Sequence, residues 1–294
     1  MTKVMLPETL DELWPILENE PETAIYAGGT DFLVKRRKGL CGHGPLACLE
    51  RIGELRGIEE DARHVNIGAC ATFSEILASA PVRNHFPLLI KALSVLGSPH
   101  IRNMGTIGGN IATASPAGDS LAPLYVLGAE IKLVTSESFR LVPVKDLIKG
   151  PGQTDIRPKE IISGVVLKKS GAYNLHHYEK IGRRKALSIA IVSLAALMKI
   201  DENSIIKEAH FAWGSVAPTV FYSPEAEKAV KDRPFTMQVL KDAADIIRRD
   251  VQPIDDIRAS AGYRRSAAAN ILFRLLQASS DFSHGSHDIE VSGK

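Results

Sequence analysis

Two stretches of almost bare backbone constrain this chain more than anything else in it. In "IYAGGTDFLVKRRKG" an apolar run that reads as a strand meets Gly28 and Gly29 and then a segment with helical spacing. In "NMGTIGGNIATASPAGDS", Asn103 to Ser120, glycine, alanine, serine and threonine leave hardly a side chain large enough to pack a core. A Gly-rich turn between a strand and a helix exposes consecutive backbone N–H groups beside the positive end of a helix dipole, so an anionic phosphate can lie against it. In the first stretch Gly28, Gly29 and Thr30 would supply the amides. Asp31 would cap the helix start, since its carboxylate repels a phosphate. In the second, Gly108 and Gly109 make the amide-rich bend, Thr106, Asn110 and Ser115 add side-chain donors, and Asp119 stands at a helix start. Asp119 could cap "SLAPLYVLGA" or accept hydrogen bonds from sugar or ribityl hydroxyls. Neither loop has the spacing GxGxxG or GxxxxGK[ST], which disfavours a Rossmann hydride carrier and a phosphoryl-transfer enzyme.

The rest of the chain is ordinary for a globular protein, with 294 residues of which 45% are apolar and 24% charged. Thirty-six basic against thirty-four acidic side chains leave a formal charge of +2, too balanced to imply a polyanion or a membrane surface as partner. Cys41, Cys48 and Cys70 form neither a disulfide framework nor a metal pair, which fits a reducing cytoplasm. No signal peptide and no run of about eighteen uncharged apolar residues is present, so no membrane insertion is expected.

Along the chain "ETLDELWPILE" reads as a helix, "TAIYA" and "PLACLE" as strands, and "DFLVKRRK" as a helix closed by Gly39, together a small βαβ-like unit. From about Arg63 the strands "HVNIGA", "IKLVTS", "FRLVPV" and "IISGVVLKK" alternate with the helices "TFSEILAS" and "SLAPLYVLGA", an α+β pattern that is largely antiparallel. "KGPGQTDIRPKE" reads as a loop. A third region has strand-like "YNLHHYEKI" and "IKEAHFAWGSV", then helical "PEAEKAVKD", "TMQVLKDAADIIRRD" and "AGYRRSAAANILFRLLQ". In the second of these Met237, Leu240, Ala244 and Ile247 mark one face for packing on a sheet. The polar tail from Asp281 is expected to be disordered. His176 and His177 are consecutive and point to opposite faces of a strand, against a shared metal site, and "HGSH" at 284–287 reads as tail composition. The basic runs "KRRK" and "GRRK" invite comparison with nucleic-acid binders, but the first ends a helix, where cations favour the dipole.

"AGGTDFLVKRRKG" with "IRNMGTIGGNIATASPAGDSLAPLYVLGAEI" resembles the FAD-binding medium subunit of the molybdenum hydroxylases, the group that includes xanthine dehydrogenase and carbon monoxide dehydrogenase. "HYEKIGRRKALSIAIVSLAA", "AWGSVAPTVFYSPEAEKAV" and "YRRSAAANIL" extend the likeness over about Met1 to Gln277. The resemblance implies an α+β fold: a two-subdomain FAD-binding domain of the vanillyl-alcohol oxidase/MurB type over 1–57 and 58–170, then a small domain over 171–280 with a three-stranded antiparallel sheet. It implies FAD held non-covalently by Ala27, Gly28, Gly29, Thr30, Asp31, Phe32, Leu33 and Val34 and by Thr106, Ile107, Gly108, Gly109 and Asn110. Asp119 matches the family's ribityl-binding aspartate. Leu96 and Ile162 match apolar positions near the cofactor, and Lys180 matches a flavin-proximal lysine. The implied partners are a molybdopterin-binding large subunit and a [2Fe–2S] small subunit, with NAD⁺ or another acceptor taking electrons near Lys180 to Ile189. One departure concerns that acceptor: animal xanthine dehydrogenases carry acidic residues in the loop matching Gly182 to Ala190, where this chain has Ala186, Leu187 and Ser188. Rival readings are a self-sufficient reductase of the MurB kind, which needs its own proton donor, and a non-enzymatic nucleotide scaffold, which would be colourless.

Overall fold

The computed structural model describes residues 3–171, 173–184 and 187–283 of the chain. Three sheets of three or more strands follow one another along it. The first is parallel, built from β1 (Val4–Met5), β2 (Ala24–Tyr26) and β3 (Leu46–Cys48) in the order β1-β3-β2. Its connections carry α1 (Leu10–Asn19) and α2 (Phe32–Arg37), as the βαβ pattern requires. Leu13 of α1 is fully buried against Ala47, Leu49, Ile52 and Leu55.

The second sheet comprises β4 (Ile58–Glu60), β5 (His64–Gly68), β6 (Glu130–Val134), β7 (Phe139–Pro143) and β10 (Ile161–Lys168), antiparallel in the order β4-β5-β10-β6-β7. Burial alternates along β5 and β6, so one face is packed and the other meets solvent. Helices α3 (Phe73–Ala78), α4 (Ala80–His85), α5 (Pro87–Ser94), α6 (Pro99–Met104), α7 (Ile107–Thr113) and α8 (Leu121–Val126) run between β5 and β6. After β7 come α9 (Val144–Leu147) and a hairpin of β8 (Ile148–Gly150) and β9 (Gln153–Thr154). That hairpin corrects the loop expected for "KGPGQTDIRPKE": Gly152, at φ +69°, makes the tight turn, and strands of two or three residues leave no periodicity to read.

The third sheet is a meander of β11 (Leu175–Ile181), β12 (Val192–Ile200), β13 (Ile206–Gly214) and β14 (Phe221–Tyr222). It has four strands, not the three implied by the resemblance, because Phe221–Tyr222 pairs with Ala212–Trp213 at the edge. β12 is covered on both sides. Leu194, Ala196 and Met198 point into one apolar cluster and Ala195 and Leu197 into the other, which accounts for its unbroken apolar run. The first cluster is completed by α10 (Pro224–Val230), α11 (Met237–Asp250) and α12 (Ala261–Asn270); α13 (Arg274–Ser283) follows. The apolar stripe of α11 faces α10 and α12, which themselves lie on β13 and β12, so it packs on helices where a sheet was expected. Met237 starts that helix beyond the packed stripe and is exposed, while Val239 and Ala243 take buried places beside Leu240, Ala244 and Ile247. The backbone at 281–283 continues α13 where a disordered tail was expected, and 284–294, including "HGSH", lie outside the described residues.

A candidate FAD cleft

The end of β2 and loops and helices attached to the second and third sheets line one cleft of about 870 Å³. Its first wall is Ile25–Phe32, where β2 ends and α2 begins. Gly29 sits at φ +66°, which an L side chain adopts only under strain. A Cβ on Gly28 would overlap the Met104 carbonyl oxygen at the end of α6, so this glycine is what allows the two segments to touch. Among the described residues, the amides of Gly28, Gly29, Thr30, Asp31 and Phe32 have no intramolecular acceptor. Five consecutive N–H groups are therefore free to bind an anion. Asp31 occupies the helix start, but its carboxylate makes no cap bond. It pairs with Lys35 at 2.7 Å and accepts from the Thr113 hydroxyl at 3.1 Å, tying this wall to the next.

The second wall runs through Thr106, Gly109, Asn110 and Ser115 to Asp119. Its amides are used differently. Ile107 N–H donates to Ala71 O at 3.1 Å, Gly108 N–H to Ala69 O at 2.9 Å, and Gly109 N–H to the Thr106 hydroxyl oxygen at 3.2 Å. Gly108 is buried, and a Cβ there would press on Ala69, so its role is helix-to-sheet approach. The bare-amide bend expected at Gly108 and Gly109 is thus largely spent on the fold. What faces the cleft is side-chain chemistry. Asn110 accepts from Ser120 at 2.6 Å through Oδ1, which leaves its NH₂ group to donate elsewhere. Ser115 accepts from the Ala117 amide at 3.3 Å and keeps its hydroxyl proton.

Asp119 does not cap a helix. Tyr178 Oη donates to its Oδ1 at 2.9 Å and Lys180 Nζ to its Oδ2 at 2.8 Å; Lys180 also donates to Val95 O at 2.7 Å. Burial raises the Asp119 carboxyl above its ordinary value, against the pull of Lys180 and then Tyr178 toward ionisation. The third wall is C-terminal: Leu187–Ile189, Ser215, Pro218, Ile254, Asp256, Arg258 and Arg264. Arg264, 2% exposed, donates to Ile191 O at 2.9 Å and Ser215 O at 3.1 Å and pairs with Asp256 at 2.7 Å, so one guanidinium fixes three segments of that wall. Burial alone would raise Asp256, but the Arg258 amide and Arg264 outweigh it and hold the carboxyl below its ordinary value.

Residues 1–167 match the family described as the FAD binding domain in molybdopterin dehydrogenase, and residues 176–279 match the CO dehydrogenase flavoprotein C-terminal domain. The chain belongs to the FAD-binding medium subunits of the molybdenum hydroxylases. It is 27% identical to the nicotinate dehydrogenase FAD-subunit of Eubacterium barkeri over 92% of this chain and 93% of that one. It is 31% identical to the glyceraldehyde dehydrogenase medium chain of Sulfolobus acidocaldarius, covering 88% and 91%. Among solved structures, reconstituted CO dehydrogenase from Oligotropha carboxidovorans superposes with a TM-score of 0.90 at 26% identity, over 96% of this chain and 98% of that one. The chain is accordingly an oxidoreductase flavoprotein subunit with an FAD-binding domain.

For a medium subunit of this family, the cleft gathers most of the residues singled out in the sequence: Ala27, Gly28, Gly29, Thr30, Asp31, Phe32, Leu96, Thr106, Gly109, Asn110, Ser115 and Asp119 line it. Six do not. Leu33 and Val34 lie on the outer face of α2 and are 44% and 50% exposed. Ile107 and Gly108 open α7 and are buried toward Ala71 and Ala69. Ile162 pairs with Leu133 in the sheet and belongs to the apolar core. Lys180 stands behind Asp119 rather than in the wall. Tyr26, which stacks on Phe32 with centroids 5.8 Å apart, and Arg264 line the cleft without having been singled out. The aromatic pair in "IYAGGTDF" was the available signal for Tyr26. Nothing local in "YRRSAAANIL" told a wall arginine from a solvated one.

The other motifs keep structural roles. In "KRRK", Lys35 pairs with Asp31 and Arg36 donates to Gly44 O at 2.8 Å, at the basic end of α2. In "GRRK", Arg183 donates to Ile257 O and Arg184 to Leu187 O, while Lys185 and Ala186 lie outside the described residues. Among the described residues no group of three potential metal ligands occurs, and no helix is long and apolar enough to cross a membrane.

Proposed function

We propose that this cleft holds FAD non-covalently and that the chain is the flavin subunit of a molybdenum hydroxylase, passing electrons from partner centres to NAD⁺ or another acceptor. The observation that carries the reading is a pair of opposite chemistries in one cleft. Five unspent amides on one wall suit a pyrophosphate, and a buried carboxylate on another suits sugar-like hydroxyls. The volume of about 870 Å³ lies within the range of cofactor clefts, roughly 300–1,000 Å³. The residues therefore fit the group. Gly28, Gly29, Thr30, Asp31 and Phe32 would donate amides to the pyrophosphate, Asn110 and Ser115 side-chain hydrogen bonds, and Asp119 would accept from the ribityl chain. Leu96 is 7% exposed and excludes water beside Lys180. The chemistry supplied by a bound FAD is exchange of one or two electrons, which joins molybdopterin and [2Fe–2S] centres on partner subunits to an acceptor. Leu187, Ser188 and Ile189 border the cleft where that acceptor would approach, and two of the three are more than half exposed.

This reading divides the chain at 1–57, 58–170 and 171–280, boundaries supported by the three successive sheets. It makes the working unit a cytoplasmic heterotrimer with a molybdopterin-binding large subunit and a [2Fe–2S] small subunit. The relatives support those partners: one matching solved structure is that of a Cu,Mo-CO dehydrogenase, and a further relative is the carbon monoxide dehydrogenase medium chain of Hydrogenophaga pseudoflava. The test has two arms. The purified chain should bind one FAD yet oxidise no purine, aldehyde or aromatic heterocycle, and addition of the two other chains should restore substrate-dependent bleaching of the flavin. Turnover of such a substrate by the chain alone at about 1–1,000 per second would overturn the subunit reading.

A further inference from the structure

Tyr178 has a hydroxyl that packing alone does not explain. It lies on β11 inside the apolar core, 9% exposed, where a phenylalanine would fill the same space without a polar atom to desolvate. Tyr178 and Lys180 are two apart on one strand and so share a face, and that face meets Asp119. Their donors reach different carboxylate oxygens, at 2.9 Å and 2.8 Å. A single donor would let the carboxylate pivot about it; two donors on separate oxygens fix its plane. Lys180 is itself held by Val95 O at 2.7 Å, next to Leu96 in the cleft wall. Each oxygen of Asp119 keeps a second lone pair for a ligand.

We propose that Tyr178 is a positioning residue for the FAD site: with Lys180, each donating to its own oxygen, it orients the Asp119 carboxylate for a hydroxylated ligand. This rests on the FAD reading above. The titratable groups facing Asp119 are Lys180 and Tyr178, both from β11; α5 contributes the Val95 carbonyl after its end, and β12 the Ser193 hydroxyl, which bonds Tyr178.

The test titrates FAD into the apo form of the full chain, followed by flavin fluorescence. Tyr178→Phe should raise Kd about tenfold, the effect of one hydrogen bond to a charged group. In an Asp119→Ala background the same substitution should change Kd less than about twofold, since the partner it acts through is gone. Loss of a donor to the ionised carboxylate lets the proton compete better, so the acid-side weakening of binding should begin at higher pH in Tyr178→Phe than in the parent. A purely structural tyrosine would shift neither the pH limb nor vanish in the double variant. If Tyr178→Phe does not fold, difluorotyrosine placed at 178 decides, because it keeps the shape, donates more strongly and should move the acid limb to lower pH. An unchanged Kd in Tyr178→Phe, an equal loss with and without Asp119, or an unmoved limb in the difluorotyrosine protein overturns the proposal. Failure of the parent chain to bind FAD overturns the FAD reading instead.

Discussion

Two turns, each with a glycine pair, border the same cleft, and they differ in where their amides go. At Gly28 to Phe32 no amide finds an acceptor within the described chain, and Gly29 holds a φ of +66° that keeps the turn open. At Ile107 to Gly109 every amide is taken, by Ala71, Ala69 and Thr106, and the turn serves to seat α7 on the end of β5. Similar composition thus yields a row of unspent amides in one place and a structural joint in the other. The difference lies in the neighbours: the second turn follows its helix back onto a sheet whose terminal carbonyls need donors, whereas the first leaves its strand at the edge of the molecule's cleft.

The largest effect should come from the glycine that looks most like a cradle residue. A methyl group at Gly28 overlaps the Met104 carbonyl, a backbone atom that cannot rotate away. Gly28→Ala should therefore lower stability by about 3 kcal/mol or more, seen as a fall in Tm of the apo chain before any effect on FAD is measured. An unchanged Tm would mean that the two segments do not meet as described. Next comes the carboxylate. Asp119→Ala should raise the Kd for FAD by about 30- to 100-fold, because it removes acceptors and leaves Lys180 buried without its partner, its side chain 8% exposed. Acceptor reduction by the reconstituted complex should slow with it, while substrate reduction of the molybdenum centre persists.

Gly109 sharpens the contrast. It is the exposed member of the second pair, and a Cβ there meets only the Thr106 hydroxyl, at 2.9 Å. Its backbone is helical, so a side chain needs no strained φ, and the one atom in its way, the Thr106 hydroxyl, can turn aside at the cost of its bond to the Gly109 amide. Gly109→Val should stay folded, with its stability within about 1 kcal/mol of the parent, yet bind FAD about tenfold more weakly. Full FAD stoichiometry at micromolar concentration in this variant would remove the second turn from the site altogether.

Much of this architecture was legible because it obeys simple periods. The alternation in "HVNIGA" and "IKLVTS" and the helix after "AGGT" appear where expected, and the cleft gathers the two stretches that bare backbone had singled out. What was not legible depends on partners distant in sequence. Whether Gly108 offers or spends its amide is decided by Ala69, and whether Asp119 caps a helix or meets a donor is decided by Tyr178, 59 residues on. β12 and β14 escaped for opposite reasons: one is buried on both faces and shows no alternation, the other has two residues. The exposure of Leu33 and Val34 follows from a six-residue helix that presents only the face of Phe32 and Lys35 to the cleft.

The smallest expected effect concerns Cys41. Of the three cysteines it is the one that lines the cleft, beside Lys35 on the first wall, while Cys48 and Cys70 are buried and the Cys70 thiol is pushed up to about 12, chiefly by burial. Among the described residues no histidine lines the cleft, so a covalent flavin link through histidine or cysteine would fall to Cys41. If pyrophosphate affinity is carried by the free amides of Gly28 to Phe32, that thiol is a bystander. Acid precipitation of the holo chain should release all its flavin into the supernatant, and Cys41→Ser should leave the Kd for FAD within about twofold, under 0.5 kcal/mol by the usual conversion. Yellow colour retained in the parent pellet and lost in Cys41→Ser would show that the first wall binds through sulfur, and the comparison between free and spent amides would no longer explain which turn holds the cofactor.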